Sequence, residues 1–165
     1  VQRMVAHGGR MAEMGTIERS IEIEASLETV FEVITSPAHL AEWWPDEARF
    51  EPTPGAIGQI VFGDPASGEA TLPNITIIDV DPPRRFTFRW LHPDDEAAGQ
   101  DNSLFVVFEL DDLGGRTRLH MTETGFREQG WEVAMLEEQY RLHDVGWDRH
   151  LGRLVAYAPT VAVPS

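Results

Sequence analysis

The sequence predicts an α+β domain in which a run of antiparallel strands is covered on one face by a long C-terminal helix, with two short helices after the first strand. Three observations carry this reading. Residues 48–124 hold five short apolar runs separated by turn compositions. Residues 130–158 carry an apolar stripe at helical spacing, and neither an internal repeat nor a linker divides 16–158. Domains cluster at roughly 100–150 residues, so a chain of 165 residues suits one domain with a sizeable core.

The opening "VQRMVAHGGRMAEMG", residues 1–15, has no apolar core of a signal peptide and is set aside as a disordered segment extraneous to the fold. The domain is expected over 16–158, and "TVAVPS", within the tail 159–165, has no period. In "TIERSIEIEA", residues 16–25, Ile21 and Ile23 alternate with Glu22 and Glu24, the pattern of a half-buried strand. "SLETVFEVIT" follows, with Ser26 as N-cap, Glu28 in the first turn, and Val30, Phe31 and Ile34 at helical spacing. Ser36-Pro37 repeats the start signal and Pro45 stops what it begins. Trp43 and Trp44 therefore end a second short helix. Adjacent helical residues point about 100° apart, so the two indoles cannot share one narrow stripe. One is expected to pack on the sheet while the other caps a pocket mouth.

The runs "IGQIVFG", "ATLPNITIIDVD", "RRFTFRWLH", "SLFVVFELDD" and "RTRLHMTET" read as strands joined closely enough to be antiparallel neighbours. Phe86, Phe88 and Trp90 share one face and Thr87 and Arg89 the other; Leu119 and Met121 face the core while His120 looks outward. Beyond "TGF", Leu136, Tyr140, His143, Trp147, Leu151, Leu154 and Ala158 form the stripe of a helix that would run roughly 40 Å, long enough to lie across a whole sheet. Gly146 and Gly152 each cost ~1 kcal/mol against alanine in its interior, which points to a close backbone approach or a bend.

The formal net charge is −15, and all thirteen basic residues are arginine. Such a surface repels phosphates and anionic lipids, which argues against nucleic acid as a partner. No apolar run is long enough to span a membrane, and with no cysteine there is no disulfide, thiol nucleophile or thiolate metal site. A cytoplasmic location is the expectation. GxSxG, HExxH and phosphate-binding glycine loops are absent. His143 and His150 stand ~10 Å apart along a helix, too far to share one ion that needs both nitrogens within ~2.1 Å, even with Asp144 and Asp148 beside them. Neither a metal nor a cofactor is expected.

His143 is the odd member of the apolar stripe. It is either a core histidine satisfied by one hydrogen bond or a polar group aimed into a cavity. Glu123 has the parity of Leu119 and Met121; a strand-end glutamate commonly reaches solvent, but facing inward beside His143 it would supply an acid–base pair. Glu123 and His143 are the candidates for catalysis, if there is any.

A strand, two short helices ending in "EWWP", antiparallel strands with "VDPPRRFTFRW" in the middle, then "TETGF" and a long helix carrying "GWDRHLGRL": this order resembles the START-like superfamily, also called helix-grip, birch-pollen-allergen-like or SRPBCC domains. Within it the chain is similar to the branch of activator of heat-shock protein 90 ATPase homologue-like proteins, over about 16–157. The resemblance implies a curved antiparallel sheet gripping the long helix around an apolar cavity. Matching positions would line it: Trp43, Trp44, Phe88, Trp90 and Met121, with Leu136, Tyr140, His143 and Trp147 from the helix. The implied function is binding of a small hydrophobic ligand, lipid or polyketide-like, as carrier or sensor and without catalysis. Alternatives are a cyclase- or hydratase-type enzyme in the same cavity and a protein-interaction module of chaperone-activator type. A homodimer and a chaperone partner stay open.

Overall fold

The computed structural model describes residues 15–161. The expectations for residues 1–14 and 162–165 fall outside that range. β1 (Thr16–Ile23) leads into α1 (Leu27–Thr35) and α2 (Pro37–Trp43). The strands β2 (Glu47–Arg49), β3 (Ile57–Val61), β4 (Asn74–Asp81), β5 (Arg85–Trp90), β6 (Leu104–Asp112) and β7 (Thr117–Thr124) follow, and α3 (Val133–Tyr157) closes the fold.

The sheet order is β1-β7-β6-β5-β4-β3-β2, antiparallel at every pairing. It is a curved, open sheet in which consecutive strands from β2 to β7 are neighbours and β1 returns to pair with the last of them. A register shift between Ile77 and Asp79 bulges β4, a common source of local twist. The predicted α+β, helix-grip architecture is the observed one.

Local chemistry explains the boundaries. The Ser26 hydroxyl accepts from the Thr29 backbone N–H at 3.2 Å and caps α1. Ser36 starts α2 differently: its side chain makes no capping bond, and Pro37 alone presets the first turn. α3 begins at Val133, later than the apolar stripe suggests, because Gly130 takes φ of 74°, a conformation that ends the preceding turn. At its other end a short 3-10 turn, Ala158–Thr160, buries Ala158 and continues the fold past the expected boundary.

The core lies between the concave face of the sheet and the helices. Ile17 and Ile23, Ile75 and Ile77, Phe86 and Phe88, Val106 and Phe108, and Leu119 and Met121 come from the strands; Leu136, Trp147, Leu151 and Leu154 come from α3. The outer face is less uniformly wet than alternation predicts, since Thr87 is buried there and the Arg89 guanidinium sits 4.8 Å over the Phe105 ring. α3 is clamped to β1 at its middle: Arg19 pairs with Asp144 at 2.6 Å and with Asp148 at 2.7 Å, and the Tyr140 hydroxyl donates to the Thr16 carbonyl at 3.0 Å. Among the described residues no helix is long and apolar enough to cross a membrane.

Candidate functional site

Strand parity turns Glu123 inward behind Leu119 and Met121, between Ile17 of β1 and Val106 of β6 in register. It is completely buried, in apolar surroundings where a bare carboxylate would cost several kcal/mol. Three side chains answer it. Trp90 at the end of β5 donates its indole N–H to Oε2 at 2.8 Å. On α3, Trp147 donates to Oε1 at 2.8 Å and His143 Nδ1 lies 2.9 Å from the same oxygen. The two α3 residues stand one turn apart, so they reach Glu123 from a single helix face.

Indole N–H groups can only donate, so both oxygens of Glu123 act as acceptors. With Glu123 as a carboxylate, Nδ1 of His143 is the donor of the third bond. For a neutral imidazole this fixes the tautomer and leaves Nε2 as an acceptor that makes no hydrogen bond to another described residue.

Beside this cluster is a cavity of about 170 Å3, walled by Trp44, Phe62, Trp90, His143, Trp147 and His150, with exposed Leu142 and Arg149 at its edge. Trp44 is its hub: its ring centroid is 5.1 Å from that of Trp90 and 5.2 Å from that of Trp147. The "WW" doublet thus divides its work. Trp43 donates to the Val33 carbonyl at 3.1 Å within the core, while Trp44, the residue just past the helix end, turns to the cavity.

Of the residues singled out in the sequence, Trp44, Trp90, His143 and Trp147 meet at this cavity. Trp43, Phe88, Met121, Leu136 and Tyr140 lie outside its lining: Phe88 backs Trp44 at 5.6 Å, Met121 is buried on β7, Leu136 packs near the start of α3, and Tyr140 meets Phe126. The volume is also below the several hundred Å3 usual for ligand pockets.

Sequence reasoning passed over His150 as a wall residue, although it continues the face of His143 and Trp147. Burial, reinforced by the charges of Arg149, Arg153 and His143, lowers its pKa from 6.5 to about 4, so it is neutral near pH 7. Its Nδ1 is buried without a partner. Gly146 meets no close backbone approach: a Cβ there would stand 3.7 Å from His150 Nε2, an ordinary contact at the cavity wall. A second hollow, about 490 Å3, lies on the outer sheet face among Arg84, Arg85, Glu109, Asp111, Arg118 and His120. Its charges largely answer one another, as in Arg85 with Glu109. Among the described residues there is no group of three or more histidine, aspartate or glutamate side chains placed to hold a metal ion.

The profile of the family described as Activator of Hsp90 ATPase homolog 1-like protein matches residues 24–158. The chain belongs to this family. Solved structures agree on the fold. A structural-genomics protein from Mesorhizobium loti is 19% identical with a TM-score of 0.69, covering 90% of this chain and 99% of that one. The Aha1 dimer from Colwellia psychrerythraea is 15% identical with a TM-score of 0.65, covering 88% and 96%. DynU16, a protein in the dynemicin biosynthetic locus, is 23% identical with a TM-score of 0.66; the match covers 88% of this chain and 48% of that one. At these identities the likeness is one of fold. No curated protein matches the chain in sequence.

Proposed function

We propose that this member of the Activator of Hsp90 ATPase homolog 1-like family binds a small, mainly apolar molecule in the cavity beside Glu123 and His143, as a carrier or sensor. The observation that carries the reading is the wall itself: three indoles and two imidazoles line a half-open pocket of about 170 Å3 next to a fully satisfied buried carboxylate. Apolar walls with a few fixed polar groups are the usual make-up of a ligand site. A fold relative, DynU16, comes from the dynemicin biosynthetic locus, which is in keeping with this reading.

The volume selects the size of the guest. A cavity of about 150 Å3 already admits benzene, so this one suits a single ring rather than a lipid or a fused polyketide. The test is a toluene titration read by intrinsic tryptophan fluorescence, since three of the five tryptophans line the site. Wild type should show a saturable change and Gly146→Leu, which fills the cavity from a helix position that tolerates leucine, should show none. Absence of saturable binding in wild type would refute the proposal.

The hydrogen bond from His143 to Glu123 favours an enzyme as the second reading, because a carboxylate that orients an imidazole is the arrangement of a general base. Turnover of a single-ring substrate that is abolished in His143→Gln while binding persists would establish it.

A further inference from the structure

The walls of the cavity are apolar rings, but its polar groups are not interchangeable. Glu123 takes the only hydrogen of neutral His143 on Nδ1, so Nε2 presents a lone pair. His143 is wedged between aromatic neighbours, with its ring 5.5 Å from Trp90 and 5.4 Å from Phe126, perpendicular to the latter. Held on both sides and tied at Nδ1, it has little freedom to flip and exchange acceptor for donor. Its Nε2 makes no hydrogen bond to another described residue, and because His143 lines the cavity its lone pair is open to a donor there.

The ring-sized volume, the indole walls and this fixed acceptor together define a guest. We infer that the cavity selects a neutral phenol, its ring lodged among Trp44, Trp90 and Trp147 and its hydroxyl donating to Nε2 of His143. This rests on the ligand-binding reading above and names the ligand class within it. A carboxylate guest is disfavoured, because it would bring a second negative charge beside buried Glu123 and has no hydrogen for Nε2. A hydrocarbon of the same size fits the walls but leaves Nε2 unmet. His150, neutral near pH 7 and with an unpartnered buried Nδ1, adds no cation, and Arg149 stands exposed in solvent at the edge, where its charge is screened.

Phenol and toluene are nearly isosteric, so the comparison isolates the hydroxyl. Calorimetric titration of the full chain with each should give a ratio of dissociation constants, toluene over phenol, that falls roughly tenfold from wild type to His143→Phe, the equivalent of about 1.4 kcal/mol for one hydrogen bond. An unchanged ratio, with toluene still bound by both proteins, would overturn the phenol selectivity and leave the binding function intact. Failure of wild type to bind either compound would overturn the function and this inference with it. Because His143→Phe removes a donor from Glu123, its fold is open to loss, so the 15N resonances of the imidazoles in wild type give a second measurement. Saturating phenol should shift Nε2 of His143 in the direction of hydrogen bonding while toluene does not; an equal response to both would overturn the selectivity.

Discussion

Glu123→Gln keeps the shape of the side chain and changes its acceptors. In the native protein Oε1 receives Trp147 and His143 and Oε2 receives Trp90, three bonds to a charged group of the kind worth roughly 1.5–3 kcal/mol each. A glutamine can place its oxygen where two donors converge. Its NH2 then faces the Trp90 indole N–H, donor against donor. One stranded buried donor costs about 1–3 kcal/mol, and two bonds fall from charge-assisted to neutral; relief of the buried charge offsets part of this. The expected net loss is about 2–4 kcal/mol, read from the midpoint of urea unfolding at unchanged m. In a domain of this size that lowers Tm by on the order of 5–15 °C. Trp90→Phe removes the frustrated donor, so in the glutamine background it should cost at least about 1 kcal/mol less than in wild type. A loss below about 0.5 kcal/mol for Glu123→Gln, or no coupling to Trp90→Phe, would refute the argument that the indoles are bound to a charged acceptor.

Two further outcomes follow from other sites. The pKa of His150 is lowered in the fold, so its contribution is fully present above its unfolded value of 6.5 and is lost as pH falls from there through about 4. Unfolding free energies of wild type and His150→Gln should therefore converge by about 1 kcal/mol between pH 7 and pH 4, a figure reduced for the partial solvent exposure of the ring; parallel pH profiles would contradict the assignment. Arg19→Ala should cost about 1–2 kcal/mol in low salt by releasing Asp144 and Asp148 from β1, and less in 1 M salt, where the Debye length is about 3 Å. Equal costs in both would mean that the arginine stem, rather than its charge, holds the helix.

Much of the fold was legible because its signals are local. The alternation in "SIEIE", the proline stops and the spacing of Leu136, Trp147, Leu151 and Leu154 each report one element's own periodicity, and together they gave the antiparallel sheet and its covering helix. The site was legible in part for the same reason. Strand parity allowed Glu123 the inner face, although a strand-end glutamate commonly reaches solvent and this one is fully buried, and helical spacing put His143 on the stripe that meets it. Which oxygen meets which donor depends on three elements from distant parts of the chain, and no periodicity encodes that. The Trp43–Trp44 division was similarly hidden, because Trp44 leaves the helix with φ −121° and ψ −89°, outside the geometry from which its direction could be projected. His150 is hidden as a wall residue because its spacing from His143 speaks only to a metal site, and the place of Gly146 at the cavity wall is hidden because a missing side chain shows its meaning only against the wall it leaves open.

The buried carboxylate also determines where α3 can sit along its own axis. An interface of leucines and phenylalanines between a long helix and a sheet is nearly degenerate, since one apolar contact replaces another as the helix slides. Here a slip by one turn, about 5.4 Å, brings one of His143 and Trp147 into the other's place and carries the second away, leaving Glu123 short of a donor between Ile17 and Val106. Glu123 is thus an index mark that makes one axial position of the helix discrete among many that are otherwise nearly equivalent.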